Sequence, residues 1–349
     1  MSASLRLFET DDPGWDEALA RAGRHDFFHT AAYHEVAARR DDSTALLVAV
    51  EHDGAQVALP LLVRPIPGTS LRDVTSVYGY PGPVGPGRPL TAELRAAFQQ
   101  GLETVLRDRG VVSAFSRLHP MLGHDALFGL GKVRDEGQTI ALTLRGHRED
   151  GDPVDGTEGY SRGCRRTLRR LAGHGFVGQH DPELRYLPDF TAIYQETMRR
   201  SGARTEYWYD EADFDALATT MPGSVQLFVV RLGDDVMAAS LATVHGGFVQ
   251  DYLGGTRSEA LSFSPDRLVV DTERRWALKT GQQTLHLGGG RGARADSLFS
   301  YKSGFAPPAQ TFRTWRWILD RDAYDRLSPP DAADPESDQF FPTYRAVGH

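Results

Sequence analysis

Apolar and polar positions along this chain run twice through a similar order of elements. From Trp15 to Ala22 the apolar residues recur at helical spacing. A punctuated segment follows, Asp26-Phe27-Phe28-His29-Thr30-Ala31-Ala32-Tyr33. Residues 45–51 and 56–63 predict two strands joined by a hairpin turn at Asp53-Gly54. Asp73 to Gly87 is crowded with Gly, Pro and Tyr and predicts a shaped loop. Thr91 predicts the cap of a helix to Arg109, with Leu94, Phe98, Leu102, Val105 and Leu106 on one face and Gly110 ending it. A strand, Val111 to Leu118, comes next.

Residues 146–160 are acidic, Gly-rich and without apolar periodicity, which predicts a linker. The second round opens with a basic helix, about Tyr160 to Ala172, stopped by Gly173, and a longer helix from Leu187 to Arg200. Three strands meander from there: Gln226 to Leu232, Val236 to Val244 and Phe248 to Leu253. Ser264-Pro265 predicts a helix start, the serine capping and the proline in the first helical position, with Gly281 as the stop. A strand from Thr284 to Leu287 closes the round. Two matching halves point to duplication. The expected fold class is mixed α/β (α+β), with one domain at 1–145, a linker at 146–158 and a second domain at 159–321.

Composition narrows the functional classes. A net charge of −8 argues against a general DNA or RNA binder. No apolar run approaches the roughly 20 residues of a membrane span, and Met1 to Leu5 lacks the features of a secretory leader, so a cytoplasmic address without membrane insertion is expected. A single cysteine, Cys164, excludes an intramolecular disulfide. Of 39 cationic residues only Lys132, Lys279 and Lys302 are lysines. Arginine is thus the default cation, and each lysine stands out as a place for a compact ammonium.

Three features carry candidate chemistry. Arg162, Arg165, Arg166, Arg169 and Arg170 share one helical face, which repels itself unless a phosphate-rich ligand or the acidic linker answers it; a merely solvated face is the plain alternative. Leu285-His286-Leu287 enters a bare glycine turn, Gly288-Gly289-Gly290, open to close approach by a ligand. Lys302 follows a dozen residues on, with Tyr301 and Phe305 beside it. The third feature is a scatter of polar residues at strand ends and loops: Asp73, Tyr78, Tyr80, His119, Asp251 and Tyr252. Each is weighed against a structural role in or near the core. Gly288, Gly290 and Ala293 fit the dinucleotide spacing, but no apolar helix of useful length follows and no acidic residue stands at the right distance on a second strand, so that reading is rejected; no phosphate-loop pattern, nucleophile elbow or H-E-x-x-H zinc motif is present. The arginines around Cys164 would lower its pKa, but no histidine partner is assignable and a covalent mechanism is disfavoured.

With these residues in view the chain resembles the Fem-type aminoacyltransferases, a FemAB-like branch of the GNAT acyltransferase superfamily. The resemblance rests on the basic stretch ending at Gly175, TAIYQETMRRSG, the strand meander, and LHLGGG followed by LFSYKSGF. In the first half it rests more loosely on DFFHTAAYHEVA, VALPLLVR and YGYPGP. It implies tandem GNAT-like domains, each a mixed, mostly antiparallel sheet flanked by helices, in a compact form without a coiled-coil arm. The first would be the acceptor side, completed by about 322–349, and the second the donor side. It implies transfer of an amino acid from aminoacyl-tRNA, as co-substrate rather than bound cofactor, to a small-molecule, peptide or cell-wall-type amine. Lys302 matches a family lysine near the reacting ester, and Arg204 a family arginine that holds acceptor phosphates. Two departures matter. Ala37 stands where the family has a first-domain lysine, which argues against a nucleotide-linked cell-wall acceptor. The loop that grips the CoA pyrophosphate is not evident at Arg257 to Leu261, which favours tRNA over acyl-CoA.

An activated ester needs no covalent intermediate: the amine is aligned, its proton accepted and the oxyanion stabilised. Lys302 is the candidate for the oxyanion or terminal ribose, and the arginine face for the tRNA backbone. Asp73, His119 or the substrate's own groups are the candidates for the base. Tyr78, Tyr80, Arg204, Asp251, Tyr252, Gly288, Gly289, Gly290, Tyr301 and Phe305 are candidates for binding substrate. A CoA-dependent N-acyltransferase and a non-enzymatic tRNA-binding protein are the competing readings.

Overall fold

A computed structural model describes residues 3–144, 157, 159–204, 207–329 and 340–346. Apart from Thr157, the expected linker at 146–158 lies outside the described residues. The first half contains β1 (Ser4–Phe8), α1 (Gly14–Ala22), α2 (Ala31–Arg40), β2 (Thr44–His52), β3 (Ala55–Pro65), β4 (Arg72–Thr75), α3 (Ala92–Asp108), β5 (Val111–Leu118) and β6 (Lys132–Thr143). The second contains α4 (Arg162–Gly173), β7 (Phe176–Asp181), α5 (Leu187–Ser201), α6 (Glu211–Thr220), β8 (Val225–Leu232), β9 (Asp235–His245), β10 (Phe248–Thr256), α7 (Asp266–Lys279) and β11 (Thr284–Gly288). The chain goes on through α8 (Ser297–Lys302), β12 (Gln310–Ile318) and α9 (Arg321–Leu327).

Two compact units result: Met1–Glu136 with Phe312–His349, and Gly137–Thr311. The divisions fall inside β6 and β12, upstream of the expected bounds at 145 and 321. The two units repeat one topology. In the first, β2, β3 and β4 pair antiparallel, and β5 returns parallel to β4 after α3. In the second, β8, β9 and β10 pair antiparallel, and β11 returns parallel to β10 after α7. β1 edges the first sheet against β2, and β7 the second against β8. The strand that follows each parallel pair in sequence is exchanged. β12 pairs with β5 and β6 pairs with β11, both antiparallel. Two mixed, mostly antiparallel sheets flanked by helices are the result, as expected.

Local physics explains most elements. Asp53 and Gly54 take φ of 50° and 74°, the left-handed pair that a two-residue hairpin turn requires. The predicted face of α3 is buried in one apolar cluster with β2, β3, β5 and Trp315 of β12. A second cluster lies under Tyr324 and Phe341, where the described part of the C-terminal segment packs in the first unit. The second unit has its own core, joining Ile140 and Leu142 of β6 to Phe228, Val249, Val269, Val270, Leu285 and Leu287.

Other expectations are corrected. The punctuated segment around Ala31 is a helix, because Thr30 caps it by accepting from the Tyr33 amide. The shaped loop begins with β4, whose Val74 is buried. Helix α4 continues through Gly173, and the left-handed residue after it is Gly175, at φ 83°. Ser264 does not cap α7: it takes φ 55°, and Pro265 holds the cap position without a side-chain bond. Among the described residues no helix is long and apolar enough to cross a membrane.

Candidate functional site

The second sheet forks. β10 and β11 pair at Phe248/Thr284, Val249/Leu285 and Gln250/His286 and no further, although β10 runs on against β9 and β11 against β6. Side chains close the last rung, with His286 Nδ1 and Gln250 Oε1 2.6 Å apart and both residues buried. Bulges follow at once, between Asp251 and Leu253 in β10 and between His286 and Gly288 in β11. The strands therefore part at Asp251 and Leu287, and their facing edges lose ladder partners.

Lys302 sits at this fork. It ends the short helix α8, whose cap Asp296 accepts from the Phe299 amide at 2.9 Å. Its ammonium donates to the carbonyl of Leu287, the residue that the β11 bulge leaves out of register. Burial lowers the Lys302 pKa, while Asp251, Asp296 and Glu273 pull it back up.

Glu273 was not foreseen. It lies on the buried face of α7, fully buried, and neither carboxyl oxygen has a hydrogen-bond partner. Burial, then repulsion from Asp251, pushes its pKa well above the ordinary carboxyl value. Ser240, next to both carboxyls, donates its hydroxyl to Asp251 Oδ1 at 2.9 Å. The signal lay in the helical pattern: Glu273 occupies a position of the stripe that Val269, Val270 and Ala277 make apolar.

Tyr301 joins the same cluster. The Arg267 guanidinium lies 4.8 Å from its ring centroid, and the Asp266 carboxyl acts on its hydroxyl. Burial first, then Asp266 and Asp251, drives its pKa up. Phe305, expected to touch substrate, is instead a core residue, 1% exposed and edge-on to Tyr160 and Tyr301. The glycine turn is also explained from within. Gly288 takes φ 73°, a Cβ on Gly289 would stand 2.8 Å from the Gln138 carbonyl oxygen, and one on Gly290 would overlap the Arg294 carbonyl. The chain's own backbone, rather than a ligand, demands these glycines.

The arginine face divides. Arg165 donates to the Thr157 carbonyl, and Arg170 to the carbonyls of Ser262 and Phe263. Arg162, Arg166 and Arg169 are exposed and have no ion pair or hydrogen bond among the described residues. Cys164, on the same helix, is buried, and burial raises its pKa, against the expectation that the arginines would lower it. Tyr252 is the residue bulged out of the β10 register, and Arg204 lies in an exposed turn after α5.

The remaining candidates belong to the first unit. Asp73 is buried and clamped by Arg64 and Arg345, one on each oxygen. His119 is buried with both ring nitrogens engaged: Nε2 faces Asp26 Oδ2 at 3.1 Å and Nδ1 accepts from the Met121 amide at 3.2 Å. Lone pairs so committed suit a structural role better than proton transfer. Tyr78 is exposed, its carbonyl accepting from the Tyr33 hydroxyl, and Tyr80 packs edge-on to Phe28 and Phe312. Of the predicted site residues, then, Asp251, Tyr301 and Lys302 come together, with Glu273, Ser240 and Asp296 added.

Residues 159–303 match the model of the acetyltransferase (GNAT) domain. The second unit is a GNAT domain and the protein a transferase. Over the whole chain the fold is Fem-like. It is similar to the crystal structure of FemX, at 16% identity and a TM-score of 0.69 over 92% of this chain and 99% of that one. It is also similar to a C-terminal domain of a putative lysylphosphatidylglycerol synthetase from Agrobacterium fabrum, at 15% identity and a TM-score of 0.53 over 86% of this chain and 92% of that one. A conserved protein of unknown function from Bacteroides thetaiotaomicron aligns at 9% identity and a TM-score of 0.57, over 91% of this chain and all of the other. No curated protein matches the chain in sequence.

Proposed function

We propose that this transferase moves an aminoacyl group from aminoacyl-tRNA to an amine of a small-molecule, peptide or cell-wall-type acceptor, by direct attack without a covalent enzyme intermediate. The observation that carries the choice of donor is the unanswered arginine face of α4, in the same unit as Lys302. Three exposed guanidiniums without partners fit a phosphate backbone. A second observation weighs against acyl-CoA. The start of α7, where a helix N-terminus would greet a pyrophosphate, already holds the carboxyl of Asp266 in its first turn. The carbonyls of Ser262 and Phe263 just before it are taken by Arg170.

In this reading the ester carbonyl lies at the fork, and the Lys302 ammonium, held by the Leu287 carbonyl, meets the developing oxyanion or the leaving ribose oxygen. The amine forms its bond to the carbonyl carbon as the ester C–O bond breaks, and the amine's proton leaves through a carboxylate or the substrate itself. The test is a panel of charged tRNAs with cell extract as acceptor, run beside acyl-CoA donors with release of free CoA as readout. Transfer from a charged tRNA is expected; turnover with acyl-CoA alone would replace this reading with the CoA-dependent one. Changing Arg162, Arg166 and Arg169 together to Gln should weaken tRNA binding and lower the slope of log K against log salt by about two to three.

A further inference from the structure

Around Lys302 the second unit holds more carboxyl than cation. Three carboxyls, Asp251, Asp296 and Glu273, act on one ammonium. Asp296 is occupied, capping α8 and accepting from the amides of Phe299 and Arg291 at 2.9 and 3.2 Å. Asp251, half-buried at the fork, accepts the Ser240 hydroxyl on one oxygen and makes no ion pair among the described residues. Glu273 behind it is fully buried with both oxygens unpartnered. Folding alone does not explain that carboxyl. Its neighbours on the stripe are Val269, Val270 and Ala277, and an apolar side chain there would serve the core better than a polar group left without a partner. The cluster sets three carboxyls against the one Lys302 ammonium, and Asp251, half-buried where Glu273 is fully buried, is the more open of the pair.

We propose that the Asp251–Glu273 pair receives a primary ammonium group of the substrate beside Lys302. The inference rests on the aminoacyl reading and deepens it. The α-ammonium of an aminoacyl ester is the source which that reading supplies, and the acceptor amine, arriving protonated, is the other. An uncharged acyl group such as acetyl brings nothing to these carboxyls. Burial, then repulsion from Asp251, favours the neutral carboxyl of Glu273 in the free protein. When the ammonium docks, its N–H groups donate to the carboxyl oxygens, the Glu273 O–H bond breaks, and that proton passes to solvent. Docking therefore releases a proton.

The test titrates three probes into the full chain by calorimetry: puromycin, which carries a free α-ammonium on an aminoacyl nucleoside, N-acetylpuromycin and butylamine. Two buffers of different ionisation enthalpy are used at about pH 6, below the ordinary pKa of an α-amino group. Puromycin should bind about tenfold or more tightly than its acetyl derivative, the worth of a charge-assisted contact, with proton release. Glu273→Gln should bind puromycin without releasing a proton, and Asp251→Asn should lose the preference. Both are isosteric; should Asp251→Asn fail to fold, the proton count of Glu273→Gln decides alone. Proton release with butylamine, but no binding of puromycin, would keep the ammonium pocket, assign it to the acceptor and remove the support for an aminoacyl donor. Equal binding of both puromycins without proton release overturns the pocket and leaves the donor reading standing. No binding by any probe overturns both.

Discussion

Acid should loosen the first unit through a histidine that has no part in the chemistry. His34 on α2 is fully buried. Its Nδ1 lies 3.0 Å from the Thr30 carbonyl, its ring 5.2 Å from that of Trp15, and its Nε2 has no partner. Burial lowers its pKa from 6.5 to about 4. The unfolded chain therefore takes up the proton first, near pH 6.5, whereas the folded chain resists until about pH 4. Stability is whole above the higher value and is lost as pH falls towards the lower. At about 1.36 kcal/mol for each pH unit between the two, the loss approaches about 3.4 kcal/mol, with about 2 kcal/mol of it already gone at about pH 5. His29 acts in the same direction, its pKa lowered well below the ordinary value by burial and by His119. His34→Gln keeps a donor near Thr30 and removes the titration. Urea unfolding of wild type and variant at about pH 7 and pH 5 isolates the term, with wild type expected to lose about 2 kcal/mol more than the variant. An equal acid loss in both proteins would refute the reasoning.

Further outcomes follow from the second unit and the arginine clamp. Lys302→Ala should lower transfer by about a hundredfold or more, as loss of a preorganised oxyanion donor does. Lys302→Arg should not restore it, because the Leu287 carbonyl at the bulge holds a compact ammonium in a half-buried site; normal turnover in either variant removes the lysine from its assigned place. Asp73→Ala should cost about 3 kcal/mol in unfolding measurements, since Arg64 and Arg345 lose the buried carboxylate between them. The same variant should keep its turnover per folded molecule, and a specific loss of turnover would return Asp73 to the chemistry. Gly290→Ala sets a Cβ against the Arg294 carbonyl and the Asp296 carboxylate. Thermal unfolding should show a loss of about 1–3 kcal/mol, and activity should fall with it because Asp296 caps the helix that carries Lys302.

Much of the scaffold was legible because its signals are local. The stripe of α3, the Asp53-Gly54 hairpin and the meander of β8, β9 and β10 each depend on residues within a few positions of one another. Three of the missed strands, β6, β7 and β12, carry charged or polar residues and depend on distant partners: Arg313 of β12 pairs with Leu118, and Ile140 of β6 with Gly288. The exchange of β6 and β12 is a matter of tertiary choice, since either strand could have followed its own parallel pair. At the site, Lys302 stood out by rarity and Asp251 by its place at a strand end. Asp73 and His119 looked alike at that level and proved to be held by Arg64 and Arg345 and by Asp26.

By itself the sequence determined two α/β halves, a basic helix and one lysine set apart from an arginine background, because periodicity, charge and rarity are properties of the string. Only the tertiary structure decided what those residues do. It turned Phe305 and the glycines inward, spent Arg165 and Arg170 on carbonyls, and left Arg162, Arg166 and Arg169 in solvent. It also placed Glu273 of α7 and Asp251 of β10 beside one ammonium. The physical reason is burial. A carboxyl or a lysine acquires its chemistry from the water it loses and the charges it faces, and both are set by packing between segments far apart in the chain.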